Sequence, residues 1–186
     1  MNSLANFKNR RASRGQAYIE TAAMIPFIII FIAAIPEYSQ MIFFHQRSSD
    51  LSREITKIAF RECAEVSNPE TCMRDNVLTP MAREANRILP DFNAGDNSKG
   101  AMILTLYRRN SSGGIERLAP QRIGNPAFVS NFGAISGRFQ ALAERHEIIV
   151  FGEVFYSYPA GFFQNFMKEF LGFGTFTTQI YEATIF

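Results

Sequence analysis

The feature that most constrains this chain is a long apolar run behind a basic N-terminal segment. Residues 22–44 read AAMIPFIIIFIAAIPEYSQMIFF, and the densest part ends at Ile35. A membrane-spanning helix needs about 20 mostly apolar residues, so the run is long enough only if it includes Glu37. A carboxylate near the membrane interface costs less than one at the bilayer centre. The run therefore predicts one membrane-spanning helix with Glu37 near its end.

The first 15 residues carry four basic side chains and no acid, namely Lys8, Arg10, Arg11 and Arg14. Without these four, the 19 basic residues fall to 15 against 17 acidic residues, so the positive charge belongs to this leader. Basic residues beside a membrane helix stay in the cytoplasm, which predicts that the rest of the chain lies across the membrane. Nothing in that remainder indicates nucleic-acid binding.

Three interpretations of the N-terminal segment compete. A cleaved secretory signal has a cut site of small residues, and residues 32–34 are a passable one, although Pro36 lies just beyond it. An uncleaved anchor explains the hydrophobicity but gives Glu20 no role. A third interpretation uses every feature, because Gly15 closes the basic leader and Glu20 is the fifth residue after it.

Residues 14–20, RGQAYIE, resemble the processing site of type IV prepilins. Pro26 early in the apolar run and the later stretch Ile35-Pro36-Glu37-Tyr38 are similar to the anchors of TadE-like minor pseudopilins of the Tad (Flp pilus) secretion system. In that family an aliphatic residue, a glutamate, an aromatic residue and a glycine follow one another. Ser39 departs from the glycine. The resemblance covers residues 14–38 and is weak elsewhere.

The resemblance implies that a prepilin peptidase cuts between Gly15 and Gln16 on the cytoplasmic side. Glycine suits the cut because a residue without Cβ lets the backbone enter a narrow cleft. Glu20, one helical turn after the new amine of Gln16, would then pair with an amine of its own or a neighbouring chain, which offsets the cost of a carboxylate at the membrane. The implied partners are the peptidase, other Tad pseudopilins and pilus assembly proteins, and the lipid bilayer.

Pro26 and Pro36 each remove a backbone donor and predict a bend in the helix. One interpretation is two kinks. The other is a locally melted helix that lets subunits repack on leaving the bilayer.

Cys63 and Cys72 have eight residues between them. Beyond a membrane anchor, in an oxidising compartment, this spacing favours a disulfide over two free thiols. The spacing and the lack of nearby histidines argue against a zinc site.

The remaining chain predicts an α+β body, with the anchor helix packed on an antiparallel sheet of about four strands and short helices. Apolar residues at Leu51, Ile55, Ile58 and Ala59 recur at helical spacing, which extends the first helix from about Gln16 to Ala64. Further helices are predicted at 79–89, 136–144 and 162–171, and strands at 101–109, 115–118, 147–158 and 175–186. Thr79-Pro80 is a typical helix start, and Gly152 is a candidate bulge.

The Phe-rich segment 162–171 has two interpretations, either as core against the sheet or as an exposed patch that meets the membrane or a partner. Residues with catalytic or metal-binding spacing are lacking. His45 and His146 have no acid or cysteine cluster around them, and residues 133–137 only imitate a nucleophile elbow.

The sequence thus predicts a non-enzymatic chain without a cofactor or metal. Its predicted parts are a cytoplasmic leader at 1–15, a membrane helix at 16–44 and a periplasmic domain at 45–186, held in a bacterial inner membrane or incorporated into a pilus. The favoured function is a minor pseudopilin that helps to assemble a Tad-type pilus. The alternatives are a secreted or membrane-anchored, adhesin-like binding module and, less favoured, an envelope enzyme.

Overall fold

The computed structural model describes residues 3–93, 95, 98–109, 115–131, 142, 146–158, 161, 165, 168–169, 172 and 179–186, with side chains from residue 18 onward except at 115. This part of the chain forms a long helix, short helices and an antiparallel sheet of five strands, which confirms the predicted α+β class. Two compact units are present. One comprises Met1–Gln40 with Ala160–Phe176, and the other Met41–Pro159 with Thr177–Phe186.

Helix α1 runs from Ser3 to Cys63 and contributes to both units. It begins well before the predicted start near Gln16, because the leader is rich in good helix formers and a single glycine costs a helix only about 1 kcal/mol. Helical structure continues through Pro26 and Pro36 without a break. Helix α1 ends at Cys63, close to the predicted end at Ala64.

The chain from Pro69 to Ile88 is helical throughout: α2 covers Pro69–Cys72, a π-helical segment covers Met73–Leu78, and α3 covers Thr79–Ile88. The prediction that Thr79 caps a new helix is wrong, since its backbone is already helical and its hydroxyl donates to the carbonyl of Arg74 at 2.9 Å. The cap is Asn68, whose side chain accepts from the N–H of Thr71. Pro80 has no backbone N–H to donate, and the wider π-helical turn before it accommodates the missing hydrogen bond.

The sheet has the strand order β2-β1-β4-β5, with β3 paired to β1 beside β2. The strands are β1 Gly100–Arg109, β2 Ile115–Arg117, β3 Gln121–Gly124, β4 Ile148–Ser157 and β5 Gln179–Ile185. Four of them confirm predicted strands within a few residues. Strand β3 lies between the predicted strand at 115–118 and the predicted helix at 136–144, where no strand was predicted. Residues 110–114, which join the predicted strands at 101–109 and 115–118, lie outside the described residues, as does the predicted helix at 136–144 apart from Leu142.

The C-terminal part of α1 packs on one face of the sheet in the second unit. Leu51, Ile55 and Ala59 are buried in the main core, as their spacing predicts. Gly152 was expected to form a bulge, and this is wrong. It pairs one-to-one with Leu104 on β1 and with Thr184 on β5, so the register passes through it unbroken.

Candidate functional site

The first candidate site is the apolar stretch of α1. This helix is long and apolar enough to cross a membrane, with a mean hydropathy of 2.2 over its best 18-residue window and only 6% of that window buried. A core helix of a globular domain would be mostly covered. Here Tyr18, Phe27 and Phe31 expose 78%, 60% and 72% of their surface. By length and composition, α1 can therefore serve as a membrane anchor.

Gly15 and Gln16 lie within α1, in the part of the helix for which the structure describes the backbone only. Glu20 is exposed and stands four residues after Gln16 on the same helix. That spacing is about one turn, or roughly 6 Å along the axis. The helix therefore places Glu20 about one turn after the bond between Gly15 and Gln16, where a cut is predicted.

Glu37 and Tyr38 occupy the far end of the apolar stretch, where Tyr38 is 58% exposed and Glu37 is half-buried. The carboxylate of Glu37 lies against the backbone of Gly161, so closely that a Cβ at position 161 would overlap it. Sequence reasoning missed this contact, because no local signal links two residues so far apart in the chain. Both belong to the first compact unit.

The Phe-rich segment belongs to the stretch Ala160–Phe176, which clusters with the first 40 residues. Asn165, Lys168 and Glu169 are helical and exposed, as their polar positions in the predicted helix require. The phenylalanines of that helix lie outside the described residues. The choice between core and membrane-facing patch therefore stays a prediction.

Cys63 and Cys72 form a disulfide with a Cα–Cα distance of 5.6 Å, which confirms the predicted pairing. The bridge ties the end of α1 to the end of α2. Cys63 is fully buried among residues of the main core. The bond thus fixes the point at which the chain leaves the long helix and turns into the body.

A second candidate site is the carboxylate of Glu153, fully buried at the middle of β4. It accepts hydrogen bonds from the Ser130 hydroxyl, from the Asn131 backbone N–H at 2.8 Å and from the Tyr181 hydroxyl at 3.1 Å. Burial raises the pKa of Tyr181, and the nearby charge of Glu153 raises it further. The Ser130 hydroxyl therefore lies beside a carboxylate, but that carboxylate is fully buried and already accepts two further hydrogen bonds. The three hydrogen bonds satisfy the buried carboxylate and hold residues 130–131 on the sheet.

A cavity of about 610 Å³ lies on the same sheet face as Glu153. Its lining combines the guanidinium-bearing Arg117 and Arg122 with apolar Ile103, Phe128 and Val129. Arg117 pairs with Tyr107 and Arg122 with Ile103, so both arginines project from this face of the sheet. Such a lining suits an anionic group attached to an apolar one.

The two histidines have different surroundings. His45 on α1 contacts Glu182 on β5 at 3.0 Å, which links helix and sheet within the second unit. His146 donates its backbone N–H to Leu142. Among the described residues, no group of three or more His, Cys, Asp or Glu side chains is placed to hold a metal ion.

Comparisons with protein-family models, with curated protein sequences and with solved structures gave no match to this chain.

Proposed function

We propose that this chain is a membrane-anchored, pseudopilin-like structural component of a Tad-type pilus, cut by a prepilin peptidase after Gly15. The observation that carries the proposal is the exposed apolar stretch of α1, preceded by a basic leader that ends at Gly15 and by Glu20, the fifth residue after that glycine. A plain anchor needs the apolar stretch but neither Gly15 nor Glu20. The leader would lie in the cytoplasm and the sheet-containing body in the periplasm.

The cut has a clear physical consequence. Removing residues 1–15 deletes four basic side chains and creates a cationic amine on Gln16. Glu20 lies about one turn further on, within reach of such an amine on its own or a neighbouring chain. Opening the helix at the cut is easiest at Gly15, because glycine is about 1 kcal/mol less favourable in a helix than alanine.

The experiment is co-expression of the full chain with its cognate prepilin peptidase, followed by mass determination of the mature N-terminus. A start at Gln16 supports the proposal. A start at Met1 indicates a plain anchor, and a start near Ile35 indicates a secretory signal. Gly15→Ala should slow the cut, whereas Ser13→Ala, a small change in the same leader, should not. Processing that ignores Gly15→Ala would refute the proposal.

Glu20→Gln separates processing from assembly. The neutral amide keeps the size of the side chain but removes its charge, so the cut should proceed while incorporation into a pilus falls. Loss of the cut in this variant would place Glu20 in peptidase recognition instead of in subunit pairing.

A second candidate function is an anchored binding module. It is favoured by the cavity that joins Arg117 and Arg122 to an apolar floor. Under this alternative the N-terminus stays at Met1. Arg117→Ala combined with Arg122→Ala would then abolish binding of the chain to its extracellular target, while a cut at Gln16 would argue against it.

A further inference from the structure

The two arginines of the cavity beside β2 and β3 enter it from separate points along the sheet. Arg117 on β2 pairs with Tyr107, and Arg122 on β3 pairs with Ile103. Tyr107 and Ile103 are four residues apart on β1, and four residues of a strand span about 13 Å. Both arginines are exposed and line the cavity of about 610 Å³. The sheet therefore supplies two guanidinium groups to one cavity from backbone positions about 13 Å apart.

The remaining lining of the cavity is mostly apolar. It consists of Ile103, Pro120, Phe128, Val129 and Ser130. Val129 is 72% exposed, so an apolar side chain is open to a ligand. Covering this side chain removes apolar surface from water, which favours binding. The cavity thus combines two positive charges with an apolar surface.

One wall of the cavity belongs to residues 125–131, here termed the wall segment, which is held to the sheet along its length. At its start, the Asn125 side chain donates to the carbonyl two residues before β1, at 2.7 Å. In its middle, Phe128 stacks on Phe155 of β4, with ring centroids 5.4 Å apart. At its end, Glu153 accepts the hydrogen bonds described above. The wall is therefore formed before any ligand binds, as in most ligand sites.

The sheet edge formed by β2 and β3 is unsuited to a further strand. The register of β1 with these two strands shifts by one residue between Arg117 and Gln121. The extra residue makes a bulge, and Pro120 lies within this stretch. A bulge and a proline both oppose the addition of a strand at a sheet edge. A ligand of this cavity is therefore bound through side chains on the face of the sheet.

Two carboxylates at the same spacing match the two arginines. In an extended peptide, side chains four residues apart point the same way and lie about 13 Å apart. Each carboxylate can accept two parallel hydrogen bonds from one guanidinium. In this chain, Asp50 and Glu54 are the one pair of acids four residues apart. They lie on helix α1, where four residues span only about 6 Å. The matching segment therefore comes from another protein.

We propose that this cavity binds an extended acidic segment of a partner protein. Two carboxylates of the segment, four residues apart, contact Arg117 and Arg122, and an apolar side chain midway between them packs against Phe128. Recognition of acidic segments by clustered arginines is a recurring mode of peptide binding. The proposal goes beyond the proposed function and does not depend on the cut after Gly15.

Fluorescence anisotropy of labelled peptides tests the spacing, with the full chain held in nanodiscs of phosphatidylcholine. The probe peptide carries Glu-Thr-Val-Thr-Glu between glycines, so that both glutamates and the valine face one side when the peptide is extended. The matched peptide, Thr-Glu-Val-Glu-Thr, has the same composition with its acids only about 7 Å apart. We expect the probe peptide to bind about tenfold more tightly, because the matched peptide reaches one arginine at a time. Equal binding of the two peptides, or binding of neither, would overturn the proposal.

Neutral variants of the arginines test the contacts. Arg117→Gln and Arg122→Gln should each weaken binding of the probe peptide about tenfold, since each removes one charged hydrogen-bonding partner. Arg108→Gln is the control. Arg108 is also exposed, but it follows Tyr107 on β1 and so points to the opposite face of the sheet. An equal loss in the control would show that the peptide responds to overall charge, which contradicts the proposal.

Charge reversal at Arg122 supplies a second readout. Arg122→Glu should weaken binding of the probe peptide more than Arg122→Gln does, because it adds repulsion. A peptide in which one glutamate is replaced by lysine should bind this variant more tightly than it binds the unmodified chain. The glutamate whose replacement restores binding then gives the direction of the segment. Failure of both lysine peptides to restore binding would count against the proposal.

The same samples separate this inference from the proposed function. Chains that start at Gln16 but do not distinguish the two peptides would remove the acidic-segment site and leave processing intact. Chains that start at Met1 but prefer the probe peptide would remove processing and leave the site.

Discussion

Thr56 on α1 and Gly152 on β4 are in such close contact that a Cβ at position 152 would overlap the Oγ1 atom of Thr56. Four residues earlier, the Ser52 hydroxyl lies 3.2 Å from the Gly152 carbonyl, to which it donates, and 3.0 Å from the Thr184 hydroxyl. Ser48, Ser52 and Thr56 are all buried at a spacing of four residues. The small side chains on α1 and the glycine on β4 thus allow the backbone of the helix to lie close to the backbone of the strand.

Gly152→Ala should therefore destabilise the body by about 1–3 kcal/mol, the usual cost of overpacking a filled site. Urea unfolding of the full chain in detergent, followed by circular dichroism, measures the loss. Thr56→Ala removes the overlapping atom, so the double variant should recover part of the loss. Strictly additive effects of the two substitutions would show that the contact does not limit the packing.

The buried tyrosines predict instability at alkaline pH. Burial raises the pKa of Tyr107 and of Tyr156 to about 12, with smaller contributions from neighbouring charges. A raised pKa means that the unfolded chain releases the proton first. The stabilisation is therefore complete below about pH 10, the ordinary tyrosine pKa, and is lost as the pH rises through about 12.

Absorbance titration of tyrosinate measures this effect directly, since the chain contains no Trp. Part of the ionisation should appear only near the pH at which the fold is lost. Tyr156→Phe should remove a share of that late signal, together with the 3.0 Å hydrogen bond to the Pro90 carbonyl. Complete ionisation at the ordinary pKa, with the fold intact, would contradict the prediction.

Part of this fold could be predicted because its apolar residues recur in regular patterns. The spacing of Leu51, Ile55 and Ala59 marks the buried side of α1, and the β-branched and aromatic residues of β4 mark a central strand. Strand β3 was missed because its four residues, QRIG, carry no alternation. Its pairing comes from the edge of β1, as Met102↔Ile123 illustrates.

The site residues were predictable only where the chemistry is local. Cys63 and Cys72 are close in sequence, so their pairing could be foreseen. The contacts of Glu37 with Gly161 and of Glu153 with Ser130 join distant parts of the chain, and no single-sequence pattern encodes them. The buried Ser52 and Thr56 were also missed, because a search for apolar periodicity passes over small polar side chains.

The disulfide predicts a redox-dependent stability. Replacing both Cys63 and Cys72 by alanine should lower the free energy of unfolding by roughly 2–3 kcal/mol, since the bridge closes a loop of about ten residues. Dithiothreitol should destabilise the unmodified chain by a similar amount and leave the double variant unchanged. Equal effects of the reductant on both proteins would show that it acts elsewhere.

Glu153→Gln tests whether the buried carboxylate holds residues 130–131 on the sheet. The amide keeps the shape of the side chain but removes its charge and replaces one acceptor by a donor. The Ser130 hydroxyl must then accept instead of donate, and the hydrogen bonds from the Asn131 N–H and the Tyr181 hydroxyl lose their charged acceptor, which we expect to cost roughly 1–3 kcal/mol. We expect a loss of that size in urea unfolding and faster hydrogen exchange at the Asn131 amide. Glu116→Gln on β2, at an exposed position, should change neither measurement. Unchanged exchange at Asn131 in the Glu153 variant would mean that the segment is held by other contacts.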